Sequence, residues 1–483
     1  MRFAFSKFKM FFAGLSLMAA IACNKDLLDP IPRTSVPDQL AFSTPERILQ
    51  QVNGMYVGVK DGRFLGGRGL TYNDVRAEDW LNVTTNGVTA FQTWNHTLSS
   101  TTEEVKNFWS FGYTAINRIN VVLQGIADNP KVLPSTASTM YQAEGRFLRA
   151  VSYFYLVTLY GKKPYTTDNG ASPGLPLRLG AMKTIDDVNE NSNLARSTVA
   201  EVYNQIINDL NFAETNLPLM YGAANDTNVV RAHRNAAIAF KTRVYLNMGK
   251  YAEAITEANK IVSQSAPFQS ATGRIHRLEP AFVSIFRTPY TSAESIFSLP
   301  MTNTSGPGTQ NGLALYQNTE YELNPAGILA DAGWLANDAR KSLVVTSGGK
   351  KRYSKFNSDN ENYVPVIRYS EVLLNLAEAL VRNGNTVDAR AVALLNAVRQ
   401  RSDASVSFTV AGFVNSTALL TAILTERRIE FLGEGLRSID ILRQGIAIPG
   451  KGTVAAVPPT SKAYVWPISQ DELLYNKAMT TNE

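Results

Sequence analysis

The sequence of 483 residues has a single cysteine, Cys23, and only three histidines, His96, His233 and His276. One thiol excludes an intramolecular disulfide framework and a zinc site clamped by several cysteines. So few imidazoles leave little for histidine-based metal chemistry, and no HExxH pair occurs. No metal and no cofactor is expected. Charge is also sparse, at 18% of residues against 45% hydrophobic, which excludes a disordered polyelectrolyte. The formal net charge of +6 invites a nucleic-acid reading, but residues 1–22 hold Arg2, Lys7 and Lys9 and no acid. The remainder carries 44 basic against 41 acidic side chains, too balanced for electrostatic binding of nucleic acid. Gly66-Gly-Arg-Gly69 lacks dinucleotide-loop spacing, and Gly348-Gly-Lys-Lys351 lacks that of a P-loop. There is no GxSxG elbow. Asn357-Ser-Asp-Asn-Glu-Asn362 is rich in oxygen but lacks the Gly and terminal Glu of a calcium loop, so it reads as a polar turn.

What is present begins at the N-terminus. A basic stretch to Lys9 precedes the apolar run Met10–Ile21, shorter than the ~20 residues a membrane-spanning helix needs. It has the form of a secretory leader. Ala19, Ala20 and Ala22 lead into Cys23, the position at which bacterial lipoproteins are cleaved and acylated. Residues 1–22 are therefore expected to be a lipoprotein signal peptide and Cys23 the lipidated N-terminus. Several acyl chains anchor a protein stably, each buried methylene adding about 0.8 kcal/mol. Residues 23–44 read as a tether, kept extended by Pro30, Pro32 and Pro37. Its start, Asn24-Lys-Asp-Leu-Leu-Asp29, resembles the short acidic signal that exports lipoproteins to the cell surface in Bacteroidota envelopes.

From residue 45 a 3.6-residue period dominates. It predicts helices over 45–60, 103–127, 135–160, 197–216, 231–248, 251–265, 369–383, 386–401 and 416–432. Thr44 before Pro45 is a good start signal. Gly161 reads as the residue that ends the third helix. Two helix pairs look alike: Gly249 with Ala254, and Gly384 with Ala389. A glycine turn and a small residue five positions later are the mechanics of a tetratricopeptide hairpin. The expected fold is mainly α, a tetratricopeptide-like hairpin scaffold, with 45–483 forming one domain. Two stretches, about 61–100 and 266–364, lack the period and read as long irregular insertions, the natural place for a ligand site.

A surface that holds sugars needs flat aromatics and amide, carboxylate or guanidinium groups. The first insertion offers Asn73, Asp74, Arg76, Asp79, Trp80, Asn82, Gln92, Trp94 and Asn95. The second offers Tyr290, Tyr316, Asn318, Tyr321 and Trp334. The competing expectation for each tryptophan is a buried residue that pins an irregular loop. Elsewhere, Glu426, Glu430 and Glu434 recur every four residues among Arg427, Arg428 and Arg437. They read as an ion-pair network with Arg146 and Arg149 as partners, rather than as an acid/base cluster.

Four segments together resemble the SusD/RagB family of outer-membrane lipoproteins. They are EGRFLRAVSYFYLVTLYG at Glu144–Gly161 followed by Pro164, and VPVIRYSEVLLNLAEA at Val364–Ala379. The third is LNAVRQR at Leu395–Arg401 with ILTERRIEFLGEGLRSIDILR at Ile423–Arg443. The fourth is YVWPISQDEL at Tyr464–Leu473. Their order and spacing agree along most of the chain; Gly145, Leu436, Ile439 and Ser469 depart from the usual residues. The resemblance implies a surface protein that binds glycans, or in some members peptides. It implies a partner, a TonB-dependent SusC-like barrel transporter, to which captured oligosaccharide is delivered. It implies anchoring in the outer membrane and no catalysis. A glycoside hydrolase is the alternative from another class; it needs two carboxylates about 5–10 Å apart, for which Asp74 and Asp79 are candidates.

Overall fold

The computed structural model describes residues 40–222 and 226–482, so the leader, Cys23 and most of the tether lie outside the described residues. The helices are α1 (Pro45–Val59), α2 (Arg68–Val75), α3 (Glu103–Asp128), α4 (Ser135–Tyr160), α5 (Val199–Asn216), α6 (Arg234–Asn247) and α7 (Tyr251–Ala258). After the second insertion come α8 (Tyr369–Gly384), α9 (Ala389–Ser402), α10 (Ser416–Glu430), α11 (Arg437–Arg443) and α12 (Gln470–Tyr475). Short strands are β1 (Trp80–Asn82), β2 (Ser295–Leu299), β3 (Tyr321–Leu323), β4 (Val344–Ser347), β5 (Lys350–Tyr353) and β6 (Val364–Arg368). They form three separate two-stranded antiparallel pairs, β1 with β3, β2 with β6 and β4 with β5.

The helices stack in sequence. α4 lies between α3 and α5, α6 between α5 and α7, and α8 packs on α7, α9 and α10. This is the hairpin scaffold expected from the period. Apolar residues on each inner stripe, such as Phe147, Phe154, Phe240, Leu373 and Leu395, join one large core. Thr44 caps α1 by accepting the Arg47 N–H at 3.3 Å, with Pro45 in the first turn.

Several local expectations are corrected. Gly161 is extended (φ −60°, ψ 134°) rather than left-handed. A Cβ there would lie 2.6 Å from the Val157 carbonyl oxygen, so close approach, not a turn, requires glycine. In the first hairpin Gly249 is left-handed (φ +69°) and Ala254 is buried, as the pattern requires. In the second hairpin Asn385 takes the left-handed conformation (φ 49°) in place of Gly384, and Ala389 is exposed while Ala391 is buried. α7 stops at Ala258, short of 265. The first insertion is not wholly irregular, since α2 lies within it. All eight residues of α2 are buried, which erases the amphipathic stripe by which a helix is recognised.

The glutamate series, with Glu426 and Glu430 in α10 and Glu434 in the turn after it, does form an ion network, with other partners than expected. Arg149 instead makes a bidentate pair with Asp209 at 2.8 Å, and Arg146 lies over the Phe212 ring. Glu144 pairs with Arg231 at 2.6 Å. Glu426 and Glu430 bind Arg340 at 2.6 and 2.7 Å, while Glu434 binds Lys355 at 2.7 Å and Arg368 at 2.8 Å. The partners sit in the second insertion and at its exit, so the network fastens that insertion to the C-terminal helices.

Candidate functional site

The two insertions, far apart in sequence, meet. β1 of the first pairs with β3 of the second, Trp80 opposite Leu323, Leu81 opposite Glu322 and Asn82 opposite Tyr321. Asn324 extends the seam, its amide side chain donating to the Glu78 carbonyl at 2.7 Å. Beneath it Arg428 grips Asp79 (Nε to Oδ2, 2.9 Å) and Arg437 grips Glu78 (3.1 Å), tying the seam to α10 and α11. Asp79 also accepts the Ile328 N–H at 2.8 Å.

This convergence buries most of the expected ligand residues. Trp80 and Trp334 are 2% exposed and Trp94 is 8% exposed. The Trp94 indole donates to the Trp80 carbonyl at 2.8 Å, and its ring stacks on Phe91 at 5.9 Å. Trp80 meets Tyr353 edge-on, and Trp334 lies beneath the Lys341 ammonium at 5.3 Å. Tyr316 and Tyr321 stack at 6.2 Å, and the Tyr321 hydroxyl donates to the Thr89 carbonyl at 2.7 Å. Asn73 donates to the Gly69 carbonyl at 2.8 Å and accepts from Ser438 at 3.0 Å. Arg76 reaches the carbonyls of Ala463 and Tyr464. Of the fourteen residues the two insertions offer, nine are buried, and Asn82, Gln92, Asn95, Tyr290 and Asn318 are half-exposed. As placed, the tryptophans pin the insertions and turn no face to solvent.

Asp74, Trp80, Tyr316 and Tyr321 do converge, around a cavity of about 10 Å³. That is room for about one water, not a sugar. Asp74 there is pushed up to about 8, chiefly by burial, against the pull of the Gly435 N–H and Lys355. Asp79 is held by Arg428 and buried. The pair does not face open space in the manner a glycosidase cleft requires.

The raised Asp74 has a consequence for stability. Its ordinary value is 3.8 and its folded value about 8. Between the two the folded chain holds a proton that the unfolded chain has released, so stability falls as pH rises through that window. Asp74→Asn removes the penalty. Its melting temperature should match wild type near pH 4 and exceed it increasingly towards pH 8, as thermal unfolding across pH would measure. Equal pH dependence in both proteins would contradict the buried acid.

A different group lies at the surface of the second insertion. Tyr290 and Tyr363 stack at 5.0 Å with 23° between the rings, and both are half-buried. The Asn362 amide donates to the Tyr290 hydroxyl at 3.3 Å. The Asn362 carbonyl oxygen accepts the N–H groups of Asn357 and Ser358 at 2.9 and 2.6 Å, so the oxygen-rich stretch is a closed polar turn that presents Tyr363. Burial, then the Asp226 charge, pushes the Tyr363 phenol up. Tyr290 is left-handed (φ 62°), rare for a bulky residue and sustained only where surroundings over-determine it. Among the described residues five of the seven left-handed non-glycines, Thr85, Ala90, His96, Tyr290 and Gln310, lie in the insertions, so both loops are held in fixed, strained shapes. Tyr363 was not anticipated. Its only sequence signal is an aromatic directly after an Asn-rich run.

Comparison with known proteins agrees along the whole length. Residues 27–246 match the model described as "Starch-binding associating with outer membrane" and residues 243–483 match that of the SusD family. SusD-like protein P2 of Formosa agariphila is 25% identical, with 99% of each chain covered. The crystal structure of a SusD superfamily protein from Bacteroides fragilis is 33% identical, with 91% of this chain and 99% of that chain covered and a TM-score of 0.81. A laminarin-binding SusD-like protein shares the fold at 22% identity, 91% and 99% coverage and a TM-score of 0.70.

Proposed function

The chain belongs to the SusD/RagB family, and from that premise we propose that it captures oligosaccharides at the cell surface and delivers them to a TonB-dependent, SusC-like outer-membrane transporter. The description of the family model matched by residues 27–246, starch binding in association with the outer membrane, supports this reading. Cys23 is taken as the acylated anchor, residues 23–44 as the tether and 45–483 as one binding domain. Among the described residues no helix is long and apolar enough to cross a membrane.

The observation that carries the reading is the Tyr290–Tyr363 pair with the Asn362 amide beside it. Sugar rings offer apolar C–H faces and a girdle of hydroxyls. Flat rings and a fixed amide supply the complementary surface. The strained Tyr290 backbone keeps that surface ordered before ligand arrives, which lowers the entropic cost of binding. Of the fourteen residues first expected to contact ligand, Tyr290 belongs to this pair and nine are buried. Binding without reaction is the corresponding chemistry, since Asp74 and Asp79 are buried.

Calorimetric titration with starch and laminarin oligosaccharides, and with peptides as controls, tests the proposal. A saturable heat with at least one glycan is expected, and the recovered sugar should be unshortened. Shortened product, or heat from peptides alone, would overturn it.

A further inference from the structure

We propose that a second cavity, between the first insertion and the C-terminal segment, binds an oxyanion, a carboxylate or sulfate group of the kind that acidic sugars carry. The cavity has a volume of about 240 Å³ and is lined by Arg76, Thr93 and His96 on one side and by Lys462, Ala463 and Asn482 on the other. No Asp or Glu is among its described lining residues.

Arg76 is the anchor of the argument. It is 1% exposed, and no carboxylate forms an ion pair with it among the described residues. One nitrogen donates to the Ala463 carbonyl at 3.2 Å and to that of Tyr464, while its Nη1 has no partner. Buried guanidinium groups ordinarily sit against carboxylates, because an unpaired buried charge is costly. Of the acids nearest in sequence, Glu78 is committed to Arg437 and Asp79 to Arg428, while Asp74 lines the other cavity, beside Trp80.

Lys451 adds a second buried cation nearby. Its ammonium donates to the carbonyls of Val75, Arg76 and Ala77 at 2.5, 2.7 and 2.9 Å and has no carboxylate at ion-pair distance among the described residues. His96 reports the sign of the local field. Burial, then the charges of Lys451 and Arg76, drives its imidazole far below its usual value. The ring is therefore neutral, and its partnerless Nε2 can hold a proton and donate it. Lys462, exposed at the rim, extends the positive charge outward. A small anion completes this arrangement: it supplies the missing negative charge and accepts from the open donors.

The site does not depend on the tyrosine pair, so its failure would leave the glycan reading intact. The test is titration calorimetry on the full chain at constant ionic strength, with sodium sulfate, sodium acetate, sodium glucuronate and neutral glucose. Saturable binding of sulfate and glucuronate is expected, unaffected by Tyr363→Ala, with no glucose binding that Arg76→Gln alters. Arg76→Gln should weaken the anions at least about tenfold, as loss of a charged hydrogen-bond partner does. Because Arg76 also holds the C-terminal segment, Lys462→Glu at the exposed rim is the second variant; it should stay folded and weaken both anions several-fold. Glucuronate tighter than acetate identifies a sugar-borne group, and equal affinities identify a free anion. Absence of saturable anion binding, or equal affinity in wild type and both variants, overturns the proposal.

Discussion

Replacing Arg368 with Met is expected to cost about 3–5 kcal/mol of stability, the range for breaking a buried ion pair from one side. Arg368 sits at the centre of ten interlocked side chains. Five are cations, Arg340, Lys355, Arg368, Arg399 and Arg401. Five are acids, Glu294, Asp338, Glu426, Glu430 and Glu434. None of the ten side chains is more than 5% exposed. The charges balance, so losing one cation strands a carboxylate away from water. Arg368 alone reaches Glu294 at 2.5 Å, Glu430 at 2.6 Å and Glu434 at 2.8 Å, and donates to the Glu430 carbonyl at 2.9 Å. Burial by itself would raise Glu430, yet Arg401, Arg368 and Arg340 hold it well below the usual carboxylate range. The double variant Arg368→Met with Glu434→Gln restores neutrality and should recover part of the loss. Chemical denaturation of the three proteins checks this. A loss below about 1 kcal/mol would mean the cluster is no more than a surface-like set of pairs.

Trp80→Ala carries the second large effect, a loss of about 3–5 kcal/mol typical of deleting a buried tryptophan. Trp80 occupies β1 at the point where the insertions pair, 2% exposed and against Tyr353. Its removal opens a hole under the seam rather than stripping a sugar platform. Folded Trp80→Ala protein at low temperature should therefore keep most of its glycan affinity while melting far earlier. A variant of wild-type stability that had lost its ligand would reverse the assignment and place Trp80 on the binding surface.

The scaffold was legible because its helices are amphipathic. Thr44, Pro45 and the apolar stripe of α3 announce themselves locally. α2 does not, since every side of Arg68–Val75 is covered. The glutamates of α10 and the turn after it were legible as an ion network from their spacing of four, but their partners come from β6, the approach to β4, the exit of β5 and α9, and periodicity along one stretch carries no information about those contacts. Aromatic richness correctly marked the insertions as special. It could not tell Trp80 and Trp94, which become core once β1 meets β3, from Tyr290 and Tyr363, which stay at the surface. That difference is made by a pairing more than two hundred residues apart in sequence.

Glycan capture at the tyrosine pair is tested most directly by repeating the glycan titration with Tyr290→Ala/Tyr363→Ala. Losing two stacking rings should weaken the glycan bound by wild type at least about tenfold, with the melting temperature nearly unchanged because both rings are half-exposed. Undiminished affinity in the folded double variant would contradict it.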